Sequence, residues 1–434
     1  MTPPLNRFSA TQLARLLAAR EITHEAVTHS FLDAVAQRES EVRAFAWIDP
    51  ARALKIARKF DGVAARGALA GLPIAVKDVI DTAGIPTEYG SPIYAGRVPH
   101  ADAACVAALH LAGGYVLGKT VSAELANFAP GPTRNPHALD HTPGGSSSGS
   151  AAAVAAHMAP LAIGTQTAGS VIRPASFCGV VGFVPTRGAV PRAGVKQVSD
   201  TLDVVGCFAN NVEDAALLAD AIALSGGGGI RHAVTAPSIA WTDTPWADHL
   251  TRSMSSALER VVHACSSNGA TVRQVVWSAK FTALAQAQRI VQVYETARAF
   301  ATEFETARNL LSPQLDALIE EGRALDAAAY VSALQTGREG AAQIDRLFGD
   351  ADVILAPSAP GEAPHGLSST GDPQFNRPWH LLGGPQINLP LPRAWIKSPS
   401  NLPLGVQLVG RPGDDTRLLA TAQWLEQQLQ RAAA

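Results

Sequence analysis

The chain has 434 residues, 47% of them hydrophobic and 17% charged, with a formal net charge of −2. That length and apolar fraction suffice for a large core and are compatible with one to three domains. The near-neutral balance leaves no basic footprint for nucleic acid or for an anionic membrane surface. In chain order, Ser9 and Gln12 form a capping-box pattern ahead of Leu13, Leu16 and Leu17, which predicts a first helix. A second begins at Thr23 and buries Val27, Phe31, Ala34 and Val35. Asp49-Pro50 opens a third, with proline at its first position. From about residue 70, short apolar runs alternate with Ala-rich stretches. Leu72–Val76 reads as a buried strand, and Asp102–Leu111 as a helix stopped by Gly113-Gly114. Tyr115–Gly118 reads as a strand, Ser150–His157 as a helix and Leu161–Ile163 as a strand. This alternation predicts a mostly parallel α/β sheet covered on both faces. Ser-Gly-Gly-Gly-Gly at 225–229 reads as a loop; no helix follows it closely enough to cradle a phosphate. Amphipathic helices are predicted over about 245–267 and 281–309. Ala351–Leu355 and Gly405–Val409 then read as strands added to the same sheet.

The four cysteines, Cys105, Cys178, Cys207 and Cys265, show no CxxC spacing, so neither a zinc site nor a disulfide framework is predicted. Cys105 and Cys178 sit in apolar patterns and read as buried free thiols. No basic stretch followed by an apolar one opens the chain, so no signal peptide is expected and a reducing cytoplasm fits.

The segment His141–Ile172 contains no Asp, Glu, Lys or Arg. A membrane span of that length would be broken repeatedly by its Gly, Pro, Ser and Thr residues. Buried hydroxyls and glycines without charge suit a reactive pocket instead, because hydroxyls supply nucleophiles and glycine lets backbone N–H groups approach a substrate. A basic residue for such a pocket lies upstream in Leu72-Pro-Ile-Ala-Val-Lys77-Asp-Val-Ile-Asp81. A lysine after a short strand is ordinarily a solvated end, and a Ser/Gly run is ordinarily a linker. Their order and spacing together say more.

Lys77, the run Gly144-Gly145-Ser146-Ser147-Ser148-Gly149 and the segment Gly164-Thr-Gln-Thr-Ala-Gly-Ser170-Val-Ile-Arg173-Pro174 resemble the amidase signature family in order and in spacing. The likeness continues through Phe177-Cys-Gly-Val-Val-Gly182 and Pro185-Thr-Arg-Gly188, and resumes at Leu402-Pro-Leu-Gly-Val-Gln-Leu-Val-Gly-Arg-Pro412. Short length and Ser369-Thr-Gly-Asp-Pro-Gln-Phe-Asn-Arg377 make the chain most similar to compact malonamidase-type members. The resemblance implies an α/β/α sandwich with a large mixed sheet, forming one domain over 1–434. Within it the signature core spans about 65–210, a helical layer about 225–345, and C-terminal strands and a helix 350–430.

The resemblance also implies a Ser–cisSer–Lys triad. Ser170 is the nucleophile, Ser146 (behind a cis Gly145–Ser146 bond) the proton bridge, and Lys77 the base. The backbone of Thr167, Ala168, Gly169 and Ser170 forms the oxyanion hole, with Ser147 and Thr165 in support. Neither a cofactor nor a metal is required, and a homodimer is expected. An ordinary lysine pKa of about 10.4 suits base chemistry poorly, but desolvation after the apolar run Pro73–Val76 lowers it. Asp78 and Asp81 would oppose that if they paired with Lys77, so both are expected to point away and serve the following turn. Arg173 has two readings: a bidentate clamp for a substrate carboxylate, or a structural guanidinium. Gln166 and Ala168 stand where the family commonly has Asp and Gly, which keeps hydrogen-bonding capacity but removes a charge and restricts the loop. His137-x-x-x-His141 has metal-like spacing, but flanking Pro136 and Pro143 make it a polar loop near the site mouth. Trp379, His380 and the Gly383-Gly384-Pro385 turn either line the acyl pocket or pack in the core, and Asp203 reads as structural.

The function so implied is hydrolysis of a small linear carboxamide through a Ser170 acyl-enzyme, with no nucleic-acid or membrane partner. Alternatives on the same fold are a carbamate, anilide or ester hydrolase, the glutaminase subunit of a tRNA-dependent amidotransferase, and a non-catalytic scaffold.

Overall fold

The computed structural model describes residues 3–433 except 64–65, 224–233, 276, 397 and 399. The glycine run at 225–229 therefore lies outside the described residues. The predicted helix starts hold at the level of individual hydrogen bonds. Ser9 and Gln12 make a reciprocal capping box on the helix Ala10–Ala18. Thr23 caps His24–Val42 and Asp49 caps Pro50–Asp61, each by accepting a backbone N–H three residues on.

Eleven strands form one sheet: β1 (Phe45–Ile48), β2 (Pro73–Lys77), β3 (Tyr115–Thr120), β4 (Leu161–Gln166), β5 (Val181–Val184), β6 (Val204–Ala209), β7 (Ser238–Trp241), β8 (Thr271–Gln274), β9 (Val353–Pro357), β10 (Gln386–Pro390) and β11 (Gly405–Val409). Their spatial order is β1-β3-β2-β4-β6-β5-β10-β11-β9-β7-β8. The sheet is mixed, as the family resemblance implies, and not mostly parallel, as the strand–helix alternation alone suggests. β2 runs parallel to β3 and β4, and β7 to β8 and β9, but the central block β4-β6-β5-β10-β11-β9 is antiparallel throughout. Parallel pairing is confined to two groups, β3-β2-β4 and β9-β7-β8, and within each of them helices intervene between the strands in sequence. Two strands, β7 and β8, also lie within the stretch expected to be a helical layer. The helices there are shorter than predicted: Arg252–Ser267 starts after a turn that follows Pro245, and Leu284–Ala299 stops at Phe300.

Strand alternation divides the core between two faces. Ile74, Val76, Leu161, Ile163, Val205 and Cys207 pack on one side, against helices that include Ala10–Ala18, Ala104–Leu111, Val212–Ala223 and Asp415–Ala433. Ala75, Ala162, Val204 and Phe208 pack on the other, against Ser148–Ala155 and Ile172–Cys178. Lys77 shares the parity of Ala75 and so belongs with the second set. Gly149 permits this packing: a Cβ there would stand 2.2 Å from the Ala44 carbonyl oxygen and 2.4 Å from the Val121 nitrogen. The four cysteines are free and buried. Among the described residues, no helix is long and apolar enough to cross a membrane.

Candidate active site

Lys77 closes β2, between β3 and β4, and is fully buried. Its Nζ donates to Ser146 Oγ at 2.8 Å and to Thr165 Oγ1 at 2.8 Å. No described carboxylate makes an ion pair with it. Burial lowers its pKa to about 7, with the more distant Asp203 pulling the other way. Asp78 and Asp81 are both held elsewhere, as the turn after β2 predicts. Asp78 accepts from the backbone N–H groups of Glu88 and Gly90. Asp81 receives a two-pronged Arg97 contact, 2.8 Å on each oxygen, and the Tyr89 hydroxyl at 2.8 Å.

Ser146 follows a cis peptide bond from Gly145. The Ala123 N–H donates to the Ser146 carbonyl at 3.0 Å, fixing the loop from the β3 side. Ser147 ties it to β4 twice, donating to the Thr165 carbonyl at 3.1 Å and accepting the Thr165 N–H at 3.2 Å.

Ser170 ends the short loop between β4 and the helix Ile172–Cys178 and is 9% exposed. The structure brings Lys77, Ser146 and Thr165 into direct contact, whereas no Ser146–Ser170 hydrogen bond is formed. Within the loop, no described residue accepts from the backbone N–H groups of Ala168, Gly169 or Ser170. The loop is held from behind instead. Thr167 Oγ1 donates to Asp203 Oδ1 at 2.6 Å, and Gln288 Nε2 donates to the Thr167 carbonyl at 2.8 Å. Gln166 Oε1 accepts the N–H groups of Val171 at 2.9 Å and Ile172 at 3.1 Å. Those bonds point the Gln166 amide nitrogen at His380 Nδ1, 3.2 Å away, while His380 Nε2 donates to the Leu202 carbonyl at 2.7 Å. A neutral imidazole fits both contacts, and burial pushes the His380 pKa down to about 3.

His380 therefore lies behind the 167–170 loop, held against Gln166 and the Leu202 carbonyl. Trp379 is buried against Trp277, with ring centroids 5.3 Å apart. Arg173 is buried too: Nε donates to the Thr370 carbonyl at 2.7 Å and Nη2 to the Gly145 carbonyl at 2.7 Å. Its Nη1 has no partner, and this nitrogen would stand 3.0 Å from a Cβ at Gly169. His137 turns to the Cys178 carbonyl and His141 to Asp140, so the pair does not converge. Among the described residues no His, Cys, Asp and Glu grouping could hold a metal ion. Sequence reasoning missed Gln288, which carries no motif, and the loop-holding part of Asp203.

The amidase family pattern matches residues 26–227 and 231–419. The chain belongs to the amidase signature family. It is an amidase-family hydrolase, and its fold agrees with a solved amidase at a TM-score of 0.88, with 28% identity over 97% of this chain and 100% of that one. The glutamyl-tRNA(Gln) amidotransferase A subunit of Carboxydothermus hydrogenoformans is 32% identical to this amidase over 97% of both chains. The corresponding protein of Acidothermus cellulolyticus reaches 48% identity over 229 residues, where this chain spans about half of that protein (45%).

Proposed function

We propose that this protein hydrolyses a linear carboxamide through an acyl-enzyme on Ser170. The observation that carries the reading is a fully buried lysine bonded only to hydroxyls, with its pKa lowered to about 7. A lysine so placed is neutral in a large fraction at neutral pH and can accept a proton. Ser146 passes the Ser170 proton to Lys77 as the Ser170 oxygen attacks the carbonyl carbon. Closing the Ser146–Ser170 gap is left to substrate binding, since catalytic hydrogen bonds commonly tighten in the bound state. The unpartnered N–H groups of the 167–170 loop receive the developing oxyanion. The proton then returns through Ser146 to the leaving nitrogen, and water releases the acyl group by the same route. Thr165 and Ser147 orient the lysine and the loop.

A second reading has a specific observation behind it. Relatives matched over nearly their whole length include amidotransferase A subunits, which supports glutamine as the amide and a multi-subunit assembly as the working form. Against it stand Gln166 and Ala168, although the Gln166–His380 contact preserves the loop support without a carboxylate. Carbamate, anilide and ester hydrolysis use the same groups and differ in pocket walls.

The test is ammonia or amine release from glutamine, malonamate, a neutral aliphatic amide, an anilide and a carbamate, with Ser170→Ala as control. Turnover that vanishes in Ser170→Ala supports the hydrolase. Glutamine turnover that requires a second protein component supports the second reading. A fluorophosphonate probe that leaves Ser170 unlabelled sinks both and returns the non-catalytic scaffold.

A further inference from the structure

We infer that the cavity lined by Trp246, Arg289, Asp372 and Arg377 binds an organic monocarboxylate and is linked through Gln288 to the nucleophile loop. The kinetic part of this inference rests on the hydrolase reading; the binding part does not. The cavity has a volume of about 340 Å³, within the range of small-ligand sites.

Arg377 is its central feature. It is 7% exposed, and Nη1 donates to the side-chain oxygens of Gln288 and Gln292, the latter at 3.0 Å. Those two acceptors are neutral, and no described carboxylate makes an ion pair with Arg377. Its Nε and Nη2 bond to no described residue, and Arg377 lines the cavity. Burial brings its pKa down only to about 10, so it stays charged at neutral pH. A buried guanidinium with an open donor edge on a cavity wall matches a planar carboxylate.

The other walls narrow the ligand. Arg289 adds positive charge but is paired with Glu321 at 2.5 Å. Asp372, exposed at the rim, opposes multiply charged anions, so a single carboxylate fits better than a phosphate dianion. Trp246, edge-packed against Trp277 and Phe375 at 6.5 Å, and Ala285 offer apolar surface for an alkyl stem.

The link to the active site is two hydrogen bonds long. Arg377 holds Gln288 Oε1, and Gln288 Nε2 holds the Thr167 carbonyl. A carboxylate on Arg377 therefore bears on the first residue of the 167–170 loop. Its source is either the far end of the substrate or a separate small acid.

Ligand-observed NMR with pentanoate tests the site without turnover. Pentanoate binds the native protein, and Arg377→Gln weakens it about tenfold or more. Arg289→Gln, at the exposed rim, weakens it less and guards against a folding defect in the first variant. Kinetics then identify the source, using a series of ω-amido acids and length-matched neutral amides. If the carboxylate belongs to the substrate, a preference for ω-amido acids collapses in Arg377→Gln through KM. If it is a separate molecule, pentanoate changes kcat on a neutral amide in the native protein and not in the variant. The inference is overturned if pentanoate does not bind, or if it binds equally to an Arg377→Gln variant that melts like the native protein. Failure of Ser170 labelling would fall on the hydrolase reading and leave the NMR result standing.

Discussion

Lys77 is a buried amine opposed by one identifiable charge. Desolvation favours its neutral form, and Asp203, which also holds Thr167, favours the ammonium. If Lys77 is the base, kcat/KM rises with pH through about 7, because the unprotonated amine is the active form. Replacing Asp203 by Asn removes the opposing charge, so the acid limb should move to lower pH. A pH–rate profile of Asp203→Asn beside the native protein checks this. A limb that stays in place or rises would exclude Lys77 as its origin. The same depression has a folding consequence. The unfolded chain keeps this proton up to about pH 10.4, whereas the folded chain loses it near 7. Between those values the unfolded state binds more protons, so the Lys77 contribution favours folding increasingly as pH rises across that window.

At the scale of elements, the helix Ser148–Ala155 decides how closely Ser146 can approach β2. Its Gly149 lies against the backbone of Ala44 and Val121, two segments that cannot withdraw as a side-chain tip could. Gly149→Ala should therefore destabilise by at least ~1–3 kcal/mol, read as a fall in Tm, and should reduce turnover by moving Ser146 from Lys77. An unchanged Tm would show that the two layers are loosely packed. Much of this is legible in the chain itself. Ser9, Thr23 and Asp49 mark helix starts because capping is local chemistry. Lys77, Ser146 and Ser170 stand out because the family spacing is dense. The antiparallel centre of the sheet is not legible, since strand partners are set by contacts far apart in sequence. For the same reason nothing in the chain points to Gln288, and His380 reads as pocket wall or, more readily, as core, with no sign of the position behind Gln166 that it occupies.

Across the whole molecule, β10 is inserted between β5 and β11, so the last third of the chain supplies a neighbour of β5, a strand made in the first half. We propose one folding unit over the full length. A chain ending at residue 350 would keep β6 beside β5 but strip β10 from its other edge, and size-exclusion chromatography should find it aggregated or expanded. A monodisperse, natively compact fragment would instead argue for separable domains. The four thiols turn the same architecture into a set of clocks. Cys105 lies in the helix Ala104–Leu111, Cys178 ends the helix after Ser170, Cys207 is on β6 and Cys265 is in Arg252–Ser267. Burial drives Cys105, Cys207 and Cys265 up to about 12 and Cys178 higher still, so in the closed state they are unreactive protonated thiols. Maleimide capture then dates the opening of each layer. Four equal rates would mean that the enzyme breathes as a whole, and a faster Cys178 would mean that the helix following Ser170 yields first.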